Sequence, residues 1–224
     1  GFRAPVVFDE DLHIAQVGGE GFLLQNDPGL EEEKAISFGS GMQYAGAVRD
    51  RRFQIGFNFF HTDLRDAFTL VEEHIPGQDF RRLVRVNGPG AHVTGVDVDG
   101  NMQLTPRFGV RGGFTIQQAR WKEPEDQFGA RDFFRTPKRY GFAGFDWDLE
   151  GDFEISGTAD FTGSMLVPHY AGYIPEDRLE KSRRFAVFNA VFAKTFDVSD
   201  TSKLRLFVNV QNLGDSYQED LDRG

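Results

Sequence analysis

The chain lacks cysteine entirely and has only five histidines and two tryptophans. No apolar run approaches the roughly 18 residues that a membrane helix needs. Each scarcity excludes something. Without cysteine there is no disulfide framework, no thiolate zinc site and no thiol nucleophile. Without a long apolar run there is no transmembrane helix. Cations are in the minority too: 25 Lys and Arg stand against 35 Asp and Glu, a formal net charge of -10. That balance argues against a nucleic-acid partner, whose phosphates require clustered Lys and Arg. No secretory leader is visible at Gly1.

What the chain has in quantity is Phe and Gly, 24 and 26 of its 224 residues. Both suit strands that present an apolar surface and then bend or turn sharply. The apolar residues recur with period two. From Phe153 to Val167 the odd positions are Phe, Ile, Gly, Ala, Phe, Gly, Met and Val, while the even positions are polar except Leu166. Similar alternation runs through Ile36–Tyr44, Phe53–Phe60, Val96–Leu104, Phe108–Gln117 and Leu204–Gln211, and less cleanly through Tyr140–Leu149 and Phe185–Phe196. The pattern predicts about eight strands of roughly 11 to 16 residues. Soluble strands usually run ~5–6 residues, whereas ~9–11 are needed to cross a bilayer.

Connection lengths alternate as well. Arg49–Arg51, Thr105–Pro106, Glu150–Asp152 and Asp197–Ser202 are short; Glu72–Asp79, Lys122–Lys138 and Pro168–Arg184 are long and polar. Outer-membrane barrels combine tight periplasmic turns with long extracellular loops in this way. The expected fold is therefore all-β: an antiparallel transmembrane β-barrel segment with short periplasmic turns and long extracellular loops. Asp97, Asp99, Glu154 and Asp160 are expected on the lumen face, and Phe145, Trp147 and Phe196 near the inner aromatic girdle. A soluble β-sandwich also alternates, with one face packed on a second sheet, and is the competing architecture.

Several motifs occur in a telling order. They are Gly1-Phe2-Arg3-Ala4-Pro5; Leu30-Glu31-Glu32-Glu33-Lys34 with Phe38-Gly39; Asn87-Gly88 with Gly95-Val96-Asp97-Val98; and Leu206 to Tyr217 around Asn212-Leu213-Gly214-Asp215. This ordered set resembles the TonB-dependent outer-membrane receptors. The second motif lacks the Pro and Ser of the family pattern. The resemblance implies a barrel of about 22 strands with an N-terminal plug. It also implies active uptake of a scarce ligand such as a ferric siderophore or cobalamin, energised by the TonB–ExbB–ExbD complex. Against that pattern, residues 1–224 are expected to be part of a barrel domain, without the plug, the early strands or the last strand. A passive porin-like channel and a small closed barrel are the rival readings.

The resemblance also bears on ligand residues. Haem receptors of the family have a similar layout to Phe2-Arg3-Ala4-Pro5, His13 and Asn26-Asp27-Pro28-Gly29-Leu30, and a neutral imidazole can ligate haem iron. Equally, His13 fits an exposed loop near Asp9, Glu10 and Asp11. Trp121 and Arg131 fall in one outer loop; His169, Tyr170 and Tyr173 fall in another. Aromatics beside a cation suit a large planar or anionic ligand, but also interfacial anchoring. Arg81-Arg82, on the outer side, is a candidate contact for lipopolysaccharide among the outer-membrane lipids. No bound cofactor, metal site or enzyme constellation is expected: Gly39-Ser40-Gly41 lacks the strand-turn-helix setting of a nucleophile elbow, and Gly109–Gly113 lies inside a predicted strand.

Overall fold

A computed structural model describes residues 2–3, 22–73, 81–170 and 174–218. Among them every regular element is a strand. In chain order these are β1 (Phe2–Arg3), β2 (Phe22–Asn26), β3 (Glu33–Val48), β4 (Arg51–Arg65), β5 (Phe68–Glu73), β6 (Arg81–Asn87), β7 (Ala91–Thr105), β8 (Phe108–Trp121), β9 (Arg139–Asp148), β10 (Phe153–Thr162), β11 (Leu166–His169), β12 (Arg178–Lys181), β13 (Phe185–Ser199) and β14 (Ser202–Val210). One sheet takes nine of them in the order β1-β3-β4-β7-β8-β9-β10-β13-β14, eight long strands plus the short β1. The sheet is open, with β1 and β14 at its edges. The chain divides into two compact units, Gly1–Phe38, His61–Val93 and Arg120–Arg131 in one, and Gly39–Phe60, Thr94–Ala119 and Asp132–Gly224 in the other.

In the second unit the strand register sorts side chains into rows. Phe108 faces Trp147, which faces Ile155, then Phe192, then Val208: one apolar row across five strands. The next rows on that face are Val110, Phe145, Gly157, Ala190 and Val210; then Gly112, Ala143, Ala159 and Phe188; then Phe114, Gly141, Phe161 and Ala186. The opposite face carries Gly109, Asp146, Ser156, Val191 and Asn209, then Arg111, Gly144, Thr158 and Asn189.

A sandwich would bury the apolar rows against a second layer. Here they are bare. Phe114, Trp147, Phe153, Phe188, Phe192, Leu206 and Val208 are all between 42 and 62% exposed. Among the described residues the buried apolar ones are instead small or peripheral: Ala67, Val84 and Ala91 in one unit, and Ala119, Met165, Val167 and Ala193 in the other. A large exposed apolar surface of this kind is a contact surface for something other than water.

The short connections are tight hairpins. Arg49 and Asp50, joining β3 to β4, both have positive φ, 50° and 63°. That is the backbone of a two-residue type I′ turn, whose twist matches the flanking strands. Gly151 (φ 72°) and Asp152 (φ 58°) turn the chain between β9 and β10 in the same left-handed region.

The structure corrects three expectations. The alternation from Phe153 to Val167 is not one strand: β10 ends at Thr162, and Leu166, the position that breaks the alternation, begins β11. β11 leaves the large sheet and pairs with β12 in a hairpin, Leu166 against Lys181 and His169 against Arg178. Short strands also reach into the connections expected at Glu72–Asp79 and Pro168–Arg184, whose residues 74–79 and 171–173 lie outside the described residues. β5 and β6 form an antiparallel pair, and β2 adds to β6 in parallel, giving a three-stranded sheet of its own. Three strands are shorter than expected, with 10 residues in β9 and β10 and 9 in β14, while β13 between them keeps 15. The untidy alternation of β9 has a steric cause. Tyr140 and Phe142 lie on the polar side, where the Phe142 ring occupies the space above Gly113.

Candidate functional site

The polar face of the sheet is a network of paired groups. The Thr115 hydroxyl donates to Asp97 at 2.7 Å, and Asn189 donates its amide to the Thr158 hydroxyl at 3.2 Å. Arg111 pairs with Asp146. Arg205 on β14 reaches Glu154 on β10 at 2.5 Å. Glu154 pairs with Ala193 on β13 and Arg205 with Thr195, so the bridge runs diagonally past the small Ala193 side chain. These pairs keep charge solvated or matched, as a water-filled or plugged interior requires. Beside them is a concavity of about 740 Å³ in which Asp97, Asp99 and Asp160 share the lining with Phe114, Tyr140 and Phe142.

The apolar face is bounded by cations. At one end Lys194 faces Phe153 in the register; its ammonium sits 4.2 Å from the centroid of that ring and donates to the Gly151 carbonyl in the turn. A lysine that lays its stem on aromatics and turns its head away from the apolar rows is snorkelling. Phe108, Trp147 and Phe196 flank it on the same face, with the Phe108 and Trp147 rings 5.8 Å apart. At the other end, one step beyond the Gly141–Phe161–Ala186 row, the Gly163 N–H donates to the Arg139 carbonyl, and continuing the register places Arg184 on the other side of Gly163. Ten residues of β10 and its continuation separate Phe153 from Gly163. At ~3.3 Å per residue and a tilt near ~40°, that is about 25 Å, the height of the lipid-facing band of an outer-membrane barrel.

The predicted ligand residues fall into three groups. His13 and Tyr173 lie outside the described residues. Trp121 and Arg131 are brought together in the first unit: the Trp121 N–H donates to the Arg131 carbonyl at 2.8 Å, and the Arg131 guanidinium donates to the Lys122 carbonyl at 2.6 Å. Arg131 thereby staples the base of a loop whose tip is closed by Glu125, which accepts from the Gln127 and Phe128 N–H groups at 3.0 and 2.8 Å. Trp121 lines a pocket of about 410 Å³ with Leu70, Val71, Pro89 and Pro124. In the second unit His169 is only 3% exposed at the end of β11, while the adjoining Tyr170 is half-exposed.

Sequence reasoning passed over Asn87 as a structural group. Its side-chain oxygen accepts from the Glu31 N–H at 2.7 Å, and its amide donates to the Glu31 and Asp66 carbonyls at 3.0 and 2.9 Å. Three backbone groups from two separate segments are thus satisfied by one residue. Nearby, the Glu32 carboxyl is held below the ordinary carboxylate range, first by a backbone N–H and then by the Lys34 ammonium at 3.2 Å. The outer cations Arg139 and Arg184 were also missed; their position in the strand parity was the available signal. Of the Arg81-Arg82 pair, Arg82 is half-buried and faces Glu73 in the β5–β6 register. Among the described residues no group of three or more His, Asp or Glu is placed to hold a metal ion.

Comparison with known proteins agrees with this geometry. The structure is similar to the ferripyoverdine receptor of the outer membrane of Pseudomonas aeruginosa (18% identity, TM-score 0.61, 84% of this chain and 24% of that one). It is also similar to the ferric-catecholate import receptor Fiu from K12 E. coli (22% identity, TM-score 0.57, 84% and 24%). The FrpB iron transporter from Neisseria meningitidis gives 16% identity and a TM-score of 0.59 over 84% of this chain and 28% of that one. The chain thus spans about a quarter of the length of these structures. No curated protein matches the sequence. A family profile described as TonB dependent receptor-like, beta-barrel matches residues 1–213. The chain belongs to the TonB-dependent receptor β-barrel family.

Proposed function

We propose that the protein carrying this chain is an outer-membrane receptor that imports a ferric siderophore or a comparable scarce metal chelate, with energy from the inner-membrane TonB–ExbB–ExbD complex transmitted through a plug domain. The observation that carries the membrane part is the bare apolar band of about 25 Å between Lys194 and the Arg139–Arg184 row. In this reading the band meets hydrocarbon, the paired charges of the other face line the lumen, and the hairpin turns at Arg49–Asp50 and Gly151–Asp152 face the periplasm. The family and the similar solved structures, a ferripyoverdine receptor, a ferric-catecholate import receptor and an iron transporter, support uptake of a metal chelate. Cobalamin and haem are the alternatives within the family, the haem reading resting on His13.

Ligand contact is assigned to the outer loops: Trp121 and Tyr170 as stacking surfaces, with His13 and Tyr173 retained on sequence grounds. Arg131 is assigned a supporting part, since its guanidinium already holds the loop, and His169 reaches a ligand only if β11 opens.

Deletion of the full-length gene, followed by growth on defined ferric siderophores, haem or cobalamin as sole source, tests the proposal. Loss of growth on one ferric siderophore, with uptake abolished by a protonophore, is the expected result. Uptake that persists without the proton-motive force supports a passive porin-like channel instead.

A further inference from the structure

Outside the loops assigned to the ligand, one groove collects cations that the rest of the structure does not use. It has a volume of about 570 Å³ and lies where β10 ends and the β11–β12 hairpin begins. Lys138, Arg139, Lys181 and Arg184 line it, over a floor that includes Phe161 and Leu166. Asp132 lies in the groove and is bound to Lys138 at 2.5 Å, which neutralises one of the four cations. Among the described residues, no carboxylate pairs with the side chains of Arg139, Lys181 or Arg184.

The register explains how the groove arises. Arg139 and Arg184 flank Gly163 in the first row beyond the apolar band. Neighbouring strands lie ~4.8 Å apart, so the two arginines are about 10 Å apart across a position that has no side chain. A Cβ on Gly163 would stand 2.6 Å from the Arg139 carbonyl oxygen, so the gap is kept open by the backbone itself. Phe161, two residues inward on the same face, ends the apolar rows. Cationic forks therefore lie directly above an apolar surface, at the level where the band stops. Arg forks bind phosphate oxygens bidentately.

We infer that this groove binds a phosphorylated lipid of the surrounding outer leaflet, with the phosphate held between Arg139 and Arg184, assisted by Lys181, and an acyl chain lying along Phe161. The occupant is a lipid and not a soluble anion because the two arginines belong to the apolar face. A soluble ligand would approach from the polar face or the loop tips. The inference rests on the membrane reading of the band.

The test uses the full-length protein reconstituted in phospholipid vesicles, with diphosphoryl lipid A as the probe and native mass spectrometry of the extracted protein as the readout. Wild type is expected to retain lipid A at least tenfold better than dephosphorylated lipid A, and the R139Q/R184Q variant to lose that preference. The charge-conserving R139K/R184K variant should keep most of it, and R205Q, on the polar face, all of it. Equal retention of both lipids by wild type overturns the site even if the double variant does not fold. Equal displacement by inorganic phosphate alone, with no dependence on acyl chains, overturns the lipid assignment in favour of a soluble anion. Vesicle insertion without lipid A preference sinks this site alone, whereas failure to insert sinks the membrane reading with it.

Discussion

Phe188 and Val187 are neighbours in β13 that point to opposite faces, and replacing each with arginine separates the two faces. Phe188 pairs with Ala159, six residues from the Phe153 row and four from the Gly163 row. With ~3.3 Å per residue and a tilt near ~40°, it lies about 15 Å from the Lys194 boundary and about 10 Å from the arginine row. An arginine at Phe188 cannot reach either boundary by snorkelling. Phe188→Arg should therefore cost about 2–4 kcal/mol, the range for a cation near the bilayer midplane. That is roughly a 30- to 1,000-fold loss in the folded-to-unfolded ratio, at tenfold per 1.4 kcal/mol. Val187 pairs with Asp160 on the polar face. Val187→Arg meets a carboxylate and water, and its effect should stay within about 1 kcal/mol. Urea titrations of the full-length protein folded into phospholipid vesicles, followed by tryptophan fluorescence, measure both. Equal penalties, or a larger one for Val187→Arg, would mean that the apolar rows do not face lipid.

Other changes probe the turns and loops. Replacing Arg49-Asp50 with Asn-Gly relieves a left-handed backbone that costs an ordinary L-residue ~1–2 kcal/mol, and should raise the unfolding midpoint; an unchanged or lower midpoint counts against the type I′ turn. Asn87→Ala removes three hydrogen bonds to backbone groups and should cost about 1–3 kcal/mol locally. Faster amide exchange at Glu31 is the readout, and unaltered protection there would show the clamp to be idle. Trp121→Ala should weaken ligand affinity by roughly tenfold, as loss of a stacking surface does, with outer-membrane abundance unchanged; intact affinity in a binding assay removes Trp121 from the ligand set. The Glu32 carboxyl, depressed in the folded chain, contributes its stabilisation above its unfolded pKa and loses it as pH falls through its folded value. An NMR titration should show that Lys34→Met moves the Glu32 value upward; no movement would mean the ammonium has no influence.

The membrane-facing part of the fold was legible because its rule is short. A strand between lipid and lumen needs only alternate apolar and polar residues. Leu204, Leu206, Val208 and Val210 meet that rule and form the edge strand β14. Legibility failed where alternation did not end when the strand did. Gly163, Met165 and Val167 continue the parity of β10, yet Met165 and Val167 are buried in the separate hairpin region, at 7 and 2% exposed. Parity reports which side a residue faces. It does not report which sheet the residue belongs to. The burial of His169 was hidden for the same reason: a four-residue strand inside a long polar connection leaves too few positions for a period to show.

The two units differ in what their sequences had to specify. In the second unit the solvent differs between the two faces of the sheet, so each residue's environment follows from its parity, and an ordinary Phe or Leu suffices at most apolar positions. The small sheet of the first unit has no such partition. β2, β5 and β6 pair within a small sheet in which Val84 is the buried apolar residue among the described ones, with Ala67 and Ala91 buried beside it in the same unit. Its connections are fixed residue by residue: Asn87 on Glu31 and Asp66, the Phe68 N–H on Glu33 at 3.1 Å, Lys122 on Asp63 at 2.7 Å. Such contacts join positions as much as 59 residues apart. No local pattern announces them, and a single substitution can redirect a loop without disturbing the alternation of a single strand. Trp121, one of the residues assigned to the ligand, thus sits where sequence constraint is specific and non-periodic. The barrel wall, in contrast, is set by polarity at most positions, the exceptions being crowded ones such as Gly113 and Gly157, where a neighbouring Phe ring fills the space of a side chain.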